Sequence, residues 1–273
     1  MDQQTVNREI DLDHARDLAV SAAREAGALL RDRLGDVIVD YKCTVDLVTD
    51  ADRASELLIA TRIREEFPDH GLIGEEGTRG PTGDIDRSGY AWIIDPLDGT
   101  TNYAHGYPHF AVSIALAWQH ETLLGVVYDP MRDELFVAGR EQGALLNGAP
   151  ITVTATNQLI RSLLATGFSY DLTARAENIA MWNGFLNICQ GTRRDGAAAL
   201  NLTYVAAGRL DGFWERPLNA WDIAAGALIV AEAGGRVTNF RGGAFDSFDR
   251  EVVASNGAVH DDMLDVIAGH LEH

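Results

Sequence analysis

The stretch Ala91-Trp92-Ile93-Ile94-Asp95-Pro96-Leu97-Asp98-Gly99-Thr100-Thr101-Asn102 constrains this chain more than any other. An apolar run ends abruptly in two aspartates three positions apart, and Gly-Thr-Thr follows. Such a run reads as a buried strand that delivers carboxylates to its carboxyl end, where open α/β sheets place ligands. Pro96 restricts the backbone on both sides, so a stiff turn holds Asp95 and Asp98. Gly99 permits close backbone approach, and Thr100 is placed to open a helix whose free N–H groups face an anion. Carboxylates beside an anion site call for a cation between them. The pattern predicts a divalent metal and a phosphate.

Further acidic residues stand at the ends of expected elements: Asp52, Glu75-Glu76 and Asp222. Each alone has an ordinary explanation. Asp222 reads as the N-cap of an Ala/Gly-rich helix, Glu75-Glu76 as a solvated turn, and Asp52 as a cap or decoration of a second helix. Together they change the reading. Two carboxylates ~4 Å apart repel by roughly 4 kcal/mol at an effective dielectric of ~20, so a cluster stays ionised only with cations inside it. Oxygen-only ligands with open positions suit magnesium, and a pair of such ions can stabilise the attacking and leaving oxygens of a phosphoryl transfer.

A net charge of −19 argues against nucleic acid or an anionic membrane surface as partner. Cys43 and Cys189 have no paired spacing, so neither a disulfide framework nor a zinc site is expected, and reduced cytoplasmic thiols are. Met1 to His14 lacks the layout of a signal peptide, and no apolar run approaches the ~20 residues needed to span a bilayer.

Apolar periodicity predicts helices over Leu12–Leu34 and Ala54–Phe67, the second stopped by Pro68. Val37–Val48 reads as extended chain, and Phe110–Trp118, Leu123–Asp129 and Glu134–Ala138 as strands of a meander. After a composition shift near residue 155 come a strand at Leu163–Phe168, helices at Ile179–Cys189 and Ala197–Ala207, and a strand at Gly212–Trp214. A helix at Ile223–Ala233, two strands and a last amphipathic helix complete the chain. The expected class is mixed: an α+β half over residues 1–155 carrying most acidic sites, and an α/β half over 156–273, joined in one catalytic unit.

Gly74-Glu75-Glu76, Trp92-Ile-Ile-Asp95-Pro-Leu-Asp98-Gly-Thr100-Thr-Asn102 and Trp221-Asp222-Ile-Ala-Ala-Gly226 resemble the signature motifs of the inositol monophosphatase family. Gly125-Val-Val-Tyr128-Asp, Asn147-Gly148 and Glu232-Ala-Gly-Gly235 fit the same pattern, over roughly Lys42 to Ala254. The resemblance implies a layered α-β-α-β-α sandwich of the inositol monophosphatase/fructose-1,6-bisphosphatase type. It implies two to three magnesium ions: one on Glu75, Asp95 and the Leu97 carbonyl, a second on Asp95, Asp98 and Asp222, and a weaker third on Glu75 and waters. Thr100, with Glu75 or Asp52, would activate water, while N–H groups of Gly99 and Thr100 receive the phosphate. Glu215, Gly196, Ala197 and Ala198 would line the substrate side, and Lys42 would sit on a mobile loop. Asp195 is read as a selector of cationic or polyhydroxylated substrates or as half of a surface salt bridge. Lithium sensitivity and a homodimer are implied in the same way.

The activity so implied is hydrolysis of a small phosphate monoester, foremost myo-inositol 1-phosphate. Histidinol phosphate, fructose 1,6-bisphosphate and 3′-phosphoadenosine 5′-phosphate are alternatives within the same chemistry. An aspartyl-phosphate mechanism of the haloacid dehalogenase type fits less well, because Pro96 and Leu97 separate the aspartates by two residues rather than one. A non-catalytic metal-bound scaffold does not need Thr100.

Overall fold

The computed structural model describes residues 10–36, 38–41, 47–78, 89–119 and 121–271. Lys42, assigned above to a mobile loop, lies outside them. The chain opens with helix α1 (Leu12–Arg33), whose N-cap Asp11 accepts the His14 N–H at 3.0 Å. Strands β1 (Val39–Tyr41) and β2 (Leu47–Thr49) pair antiparallel and lead into α2 (Asp50–Glu66). The helix begins four residues before the expected Ala54, because Thr49 and Asp52 form a reciprocal capping box that satisfies its first amides.

Seven strands then build one sheet in sequence order: β3 (Gly71–Gly74), β4 (Tyr90–Asp98), β5 (Ala111–Trp118), β6 (Glu121–Asp129), β7 (Glu134–Gly139), β8 (Ala144–Leu146) and β9 (Ala149–Pro150). Only the β3–β4 pair is parallel, and the short helix α3 (Thr100–Ala104) lies between β4 and β5. The second half forms a five-stranded sheet from β10 (Leu163–Thr166), β11 (Gly191–Arg193), β12 (Gly212–Glu215), β13 (Arg236–Thr238) and β14 (Val252–Ser255). Its order is β11-β10-β12-β14-β13, parallel on one side and antiparallel on the other. Helices α4 (Leu172–Leu186), α5 (Ala198–Ala206), α6 (Ala220–Glu232) and α7 (His260–Leu271) complete the chain.

Three cores define five layers. One joins α1 and α2 to the first sheet through Trp92, Ile94, Leu97 and Val112. A second places α5 and α6 between the two sheets, and a third seats α4 and α7 on the outer face of the second sheet through Leu164, Trp214, Phe185 and Met263. The result is the α-β-α-β-α sandwich that the motifs implied.

The middle layer is thin because its facing residues are small. On the first sheet Ala91, Ala111, Ala115 and Ala117 face it, and α6 supplies Ala224 and Ala225. At Gly125 a Cβ would stand 2.6 Å from the Ala225 carbonyl oxygen, a backbone atom that cannot turn aside. Gly125→Ala is expected to force α6 off the sheet and cost about 1–3 kcal/mol, read as a lowered urea midpoint at unchanged slope.

His260 is fully buried between Ser255 and Thr238. Thr238 Oγ1 lies 2.8 Å from the Asn239 carbonyl and gives its proton there, so it accepts from Nε2–H. The remaining nitrogen, Nδ1, accepts from Ser255 Oγ at 2.8 Å. Burial and the charge of Arg236 lower the ring's pKa to about 4, against the opposing effect of Asp261. Between the unfolded value of ~6.5 and that of the native state, the unfolded chain binds the extra proton, so this residue's contribution is complete above ~6.5 and lost toward pH 4. Unfolding free energy measured across that window should rise with pH, and His260→Gln should flatten the slope.

Candidate active site

In a regular strand residues three apart point to opposite faces, so Asp95 and Asp98 should diverge. They converge because β4 carries a bulge. Asp95 pairs with Ser113 and Asp98 with Ala111, so Pro96 and Leu97 together oppose the single residue Val112. Leu97 thereby enters the core beneath α1 and α2, and both aspartates turn toward the middle helical layer. There they line a cavity of about 340 Å³ with Glu75, Leu97, Gly99, Thr100, Gly196, Ala198, Glu215 and Asp222. Of the site residues named from sequence that the structure describes, Asp52 and Asp195 do not line it.

Asp52 stands behind the wall, fully buried on α2. Its Oδ2 accepts the Thr49 N–H at 2.8 Å and its Oδ1 lies 3.1 Å from Thr100 Oγ1. Thr100 Oγ1 is also 3.1 Å from the Leu97 carbonyl, so its single proton serves one of these two acceptors at a time. Neighbouring Asp50 is turned elsewhere: it accepts the Ile38 N–H at 2.9 Å and pairs with Arg33 at 3.3 Å. Gly99 has φ +94°, a left-handed conformation that launches α3, and its own Cβ position is only 3.0 Å from the His109 carbonyl.

The second half closes the cavity through its helix starts. Asp98 accepts the N–H groups of Ala198 at 3.0 Å and Ala199 at 2.8 Å, so its carboxylate caps α5. Asp222 is not the N-cap expected from sequence. Asn219 holds that position, and Asp222 is the third helical residue, accepting the Asn219 N–H at 2.6 Å in a capping box. Each carboxylate therefore spends lone pairs on a backbone and keeps others for the cavity. Glu215 ends β12 against Gly167, where any side chain would collide with its carboxyl group.

Among residues not singled out by sequence, Asn102 ties the halves together, donating to the carbonyls of His109 and Asp195 at 2.8 Å each. Asp195 makes no ion pair among the described residues and does not line the cavity; Arg194 does, with its guanidinium over the Phe168 ring. An adjoining space of about 300 Å³ is lined by Thr101, Phe168, Tyr170, Arg175 and Arg194. Ser55 and Glu56 were also missed, although they lie three and four positions beyond Asp52, on the same face of a helix.

The electrostatics are those of crowded anions. Burial raises the Asp95 pKa well above the carboxylate range, reinforced by the charges of Glu75, Asp98 and Asp222 and opposed by the Leu97 N–H. Asp98 is pushed up to about 8 by burial and by Asp222, against the amides of Ala199, Ala198 and Leu200. Glu215 rises to about 8 for the same first two reasons, with the Arg194 charge opposing. Among the described residues no three His, Cys, Asp or Glu side chains converge as a preformed metal cluster. The donor set nonetheless has the chemistry of a hard divalent cation's site: oxygen only, buried, and costly to ionise unless positive charge enters. Glu75, Asp95, Asp98, Asp222 and the Leu97 carbonyl are the groups able to hold it.

Compared with known families, residues 11–272 match the inositol monophosphatase family. The chain belongs to that family. It is 43% identical to the inositol-1-monophosphatase of Synechocystis, covering 97% of this chain and 93% of the relative. It is 44% identical to the Nus factor SuhB of Pseudomonas aeruginosa, over 93% of this chain and 96% of that one. The solved inositol monophosphatase of Anabaena superposes with a TM-score of 0.86 at 41% identity, covering 95% of this chain and 97% of that structure. Family membership makes the chain a phosphomonoesterase, and the mixed layered fold is that of its solved relatives. No helix among the described residues is long and apolar enough to cross a membrane.

Magnesium added to the metal-free protein should raise its thermal midpoint, with a stabilisation of about 2.7 kcal/mol at a hundred times the dissociation constant. Asp95→Asn should leave the metal-free protein at least as stable as the parent, since a repelling carboxylate is gone, and abolish the magnesium response. A parental response in that variant excludes Asp95 as a ligand.

Proposed function

We propose that this protein hydrolyses a small phosphate monoester, most simply myo-inositol 1-phosphate, by direct attack of water. The observation that carries the reading is the Thr100 hydroxyl. It lies between the buried Asp52 carboxylate and the Leu97 carbonyl, at the edge of a cavity walled by Asp95, Asp98, Asp222 and Glu75. A hydroxyl that donates to the Asp52 carboxylate presents its lone pairs outward to accept a hydrogen bond from the attacking water, and as that water's proton passes to Thr100 Oγ1 the proton of Thr100 passes to Asp52.

In this proposal Glu75, Asp95 and the Leu97 carbonyl would hold one magnesium ion, Asp95, Asp98 and Asp222 a second, and Glu75 with waters a weaker third. Bound there, magnesium supplies charge stabilisation to the phosphoryl oxygens and lowers the pKa of the attacking water. The N–H groups of Gly99 and Thr100 precede the first intrahelical bond of α3, for which Tyr103 N–H reaches the Gly99 carbonyl at 3.0 Å, and they receive the phosphate. Gly196 and Ala198 line the leaving-group side, and Glu215 bonds its hydroxyls. We further assign to this chain a cytoplasmic location, a homodimeric state and inhibition by lithium, by extension from the family.

The test is phosphate release from inositol, histidinol, fructose and nucleotide phosphates, with magnesium titrated and lithium as a control. Turnover confined to inositol 1-phosphate and related polyol phosphates is expected. Thr100→Val should lower kcat by about 10²–10⁴ with magnesium binding retained, and Glu215→Gln should change preference among substrates more than metal dependence. A trapped acyl phosphate on Asp95 would replace direct attack with a covalent mechanism.

A further inference from the structure

Helix α2 presents three buried polar side chains on one face, and each grips a different segment of the site. Asp52 reaches Thr100 and Ser55 donates to the Pro96 carbonyl at 2.9 Å. Glu56, only 2% exposed, reaches the turn that carries Glu75. Its Oε2 accepts the Glu76 N–H at 2.7 Å and its Oε1 the Thr78 N–H at 2.8 Å. Among the described residues no Lys, Arg or His pairs with it, so a buried carboxylate is kept with backbone amides as its bonded partners.

The remaining amides of the turn show what this grip decides. Glu75 N–H joins the sheet through the Ile94 carbonyl at 3.3 Å, and Gly74 N–H closes on the Thr78 carbonyl at 3.0 Å. On its N-terminal side Glu75 is thus fixed by strand pairing to β4, one residue from Asp95. On its C-terminal side the chain leaves the sheet, passes through Gly77 at φ +108°, and is fixed to α2 by Glu56. The approach is close: a Cβ at Gly74 would stand 2.5 Å from Glu56 Oε2 and displace the carboxylate.

We propose that Glu56 is a positioning residue, whose carboxylate clamps the Gly74–Thr78 turn so that the Glu75 side chain faces Asp95 across the cation site. The proposal rests on the reading of Glu75 as a cation ligand. Glu56 touches neither cation nor substrate; it acts through Glu75.

The experiment is calorimetric titration of magnesium into the metal-free full chain and into Glu56→Gln, Glu75→Gln and the double variant. Amide hydrogen exchange and thermal midpoints are measured on the same samples. Glu56→Gln keeps the side chain's shape but turns an NH₂ group on an N–H donor. It should weaken magnesium binding about tenfold and speed exchange at Glu76 and Thr78. The double variant should bind no more weakly than Glu75→Gln alone, the non-additivity of residues acting in series. Gly74→Ala, with Glu56 intact but displaced, should reproduce the loss. Parental magnesium affinity in Glu56→Gln alongside a loss in Glu75→Gln overturns the proposal, as do fully additive losses or unchanged exchange at both amides. Parental affinity in Glu75→Gln overturns instead the assignment of Glu75 on which it rests.

Discussion

Repulsion between buried carboxylates is the interaction to which the rest of this structure answers. Left to themselves, Glu75, Asp95, Asp98 and Asp222 would part or take up protons, and the raised pKa values of Asp95 and Asp98 express that tendency. The fold counters it by fastening each of the three aspartates to a separate piece of backbone. Asp98 is tied to the first amides of α5, Asp222 to the start of α6 and Asp95 to the Leu97 amide. These bonds stabilise the charged forms and also fix where each carboxylate stands. A cation arriving at the cavity meets ligands whose positions have been set by helix and strand ends rather than by side-chain flexibility.

That fastening requires the two sheets to come close, and the middle layer allows it. Alanines and Gly125 let α6 lie almost on the first sheet, while α5 brings its amides within reach of a side chain from β4. The acids come from residues 75 to 222 and no contiguous segment contains the site. Packing of the interior and assembly of the cavity are the same event.

Much of this was legible in the sequence. The apolar run into Asp95, the glycine before Thr100 and the Trp221-Asp222 helix start all have local signatures, and the structure puts strand, turn and helix where they were read. The departures have physical causes. Helix α2 starts at Asp50 because Thr49 and Asp52 cap each other, a pairing that outweighs the weaker apolar periodicity from Ala54. Strands β8, β9 and β11 are two or three residues long and exist through their partners, too short for any alternation to show. Asp222 reads as an N-cap because it precedes the apolar helix, whereas Asn219 three residues earlier holds that position. Glu56 went unread for a different reason: acids on helices are usually solvated, and only tertiary structure reveals a carboxylate turned inward onto another segment's amides.

The bulge in β4 has a consequence for how such a chain can vary. It converts a three-residue interval into a shared facing direction, so the site depends on how many residues lie between Asp95 and Asp98, independently of which they are. A point substitution at Leu97 leaves that count intact and alters only packing. Deletion of Pro96 or Leu97 would remove the bulge and leave Asp98 facing the same way on a regular strand, but the extra backbone unit that bonds Asp95 and Thr100 would be gone. Drift in amino-acid type is open to this segment, while shortening costs it the backbone groups that hold Asp95 and Thr100.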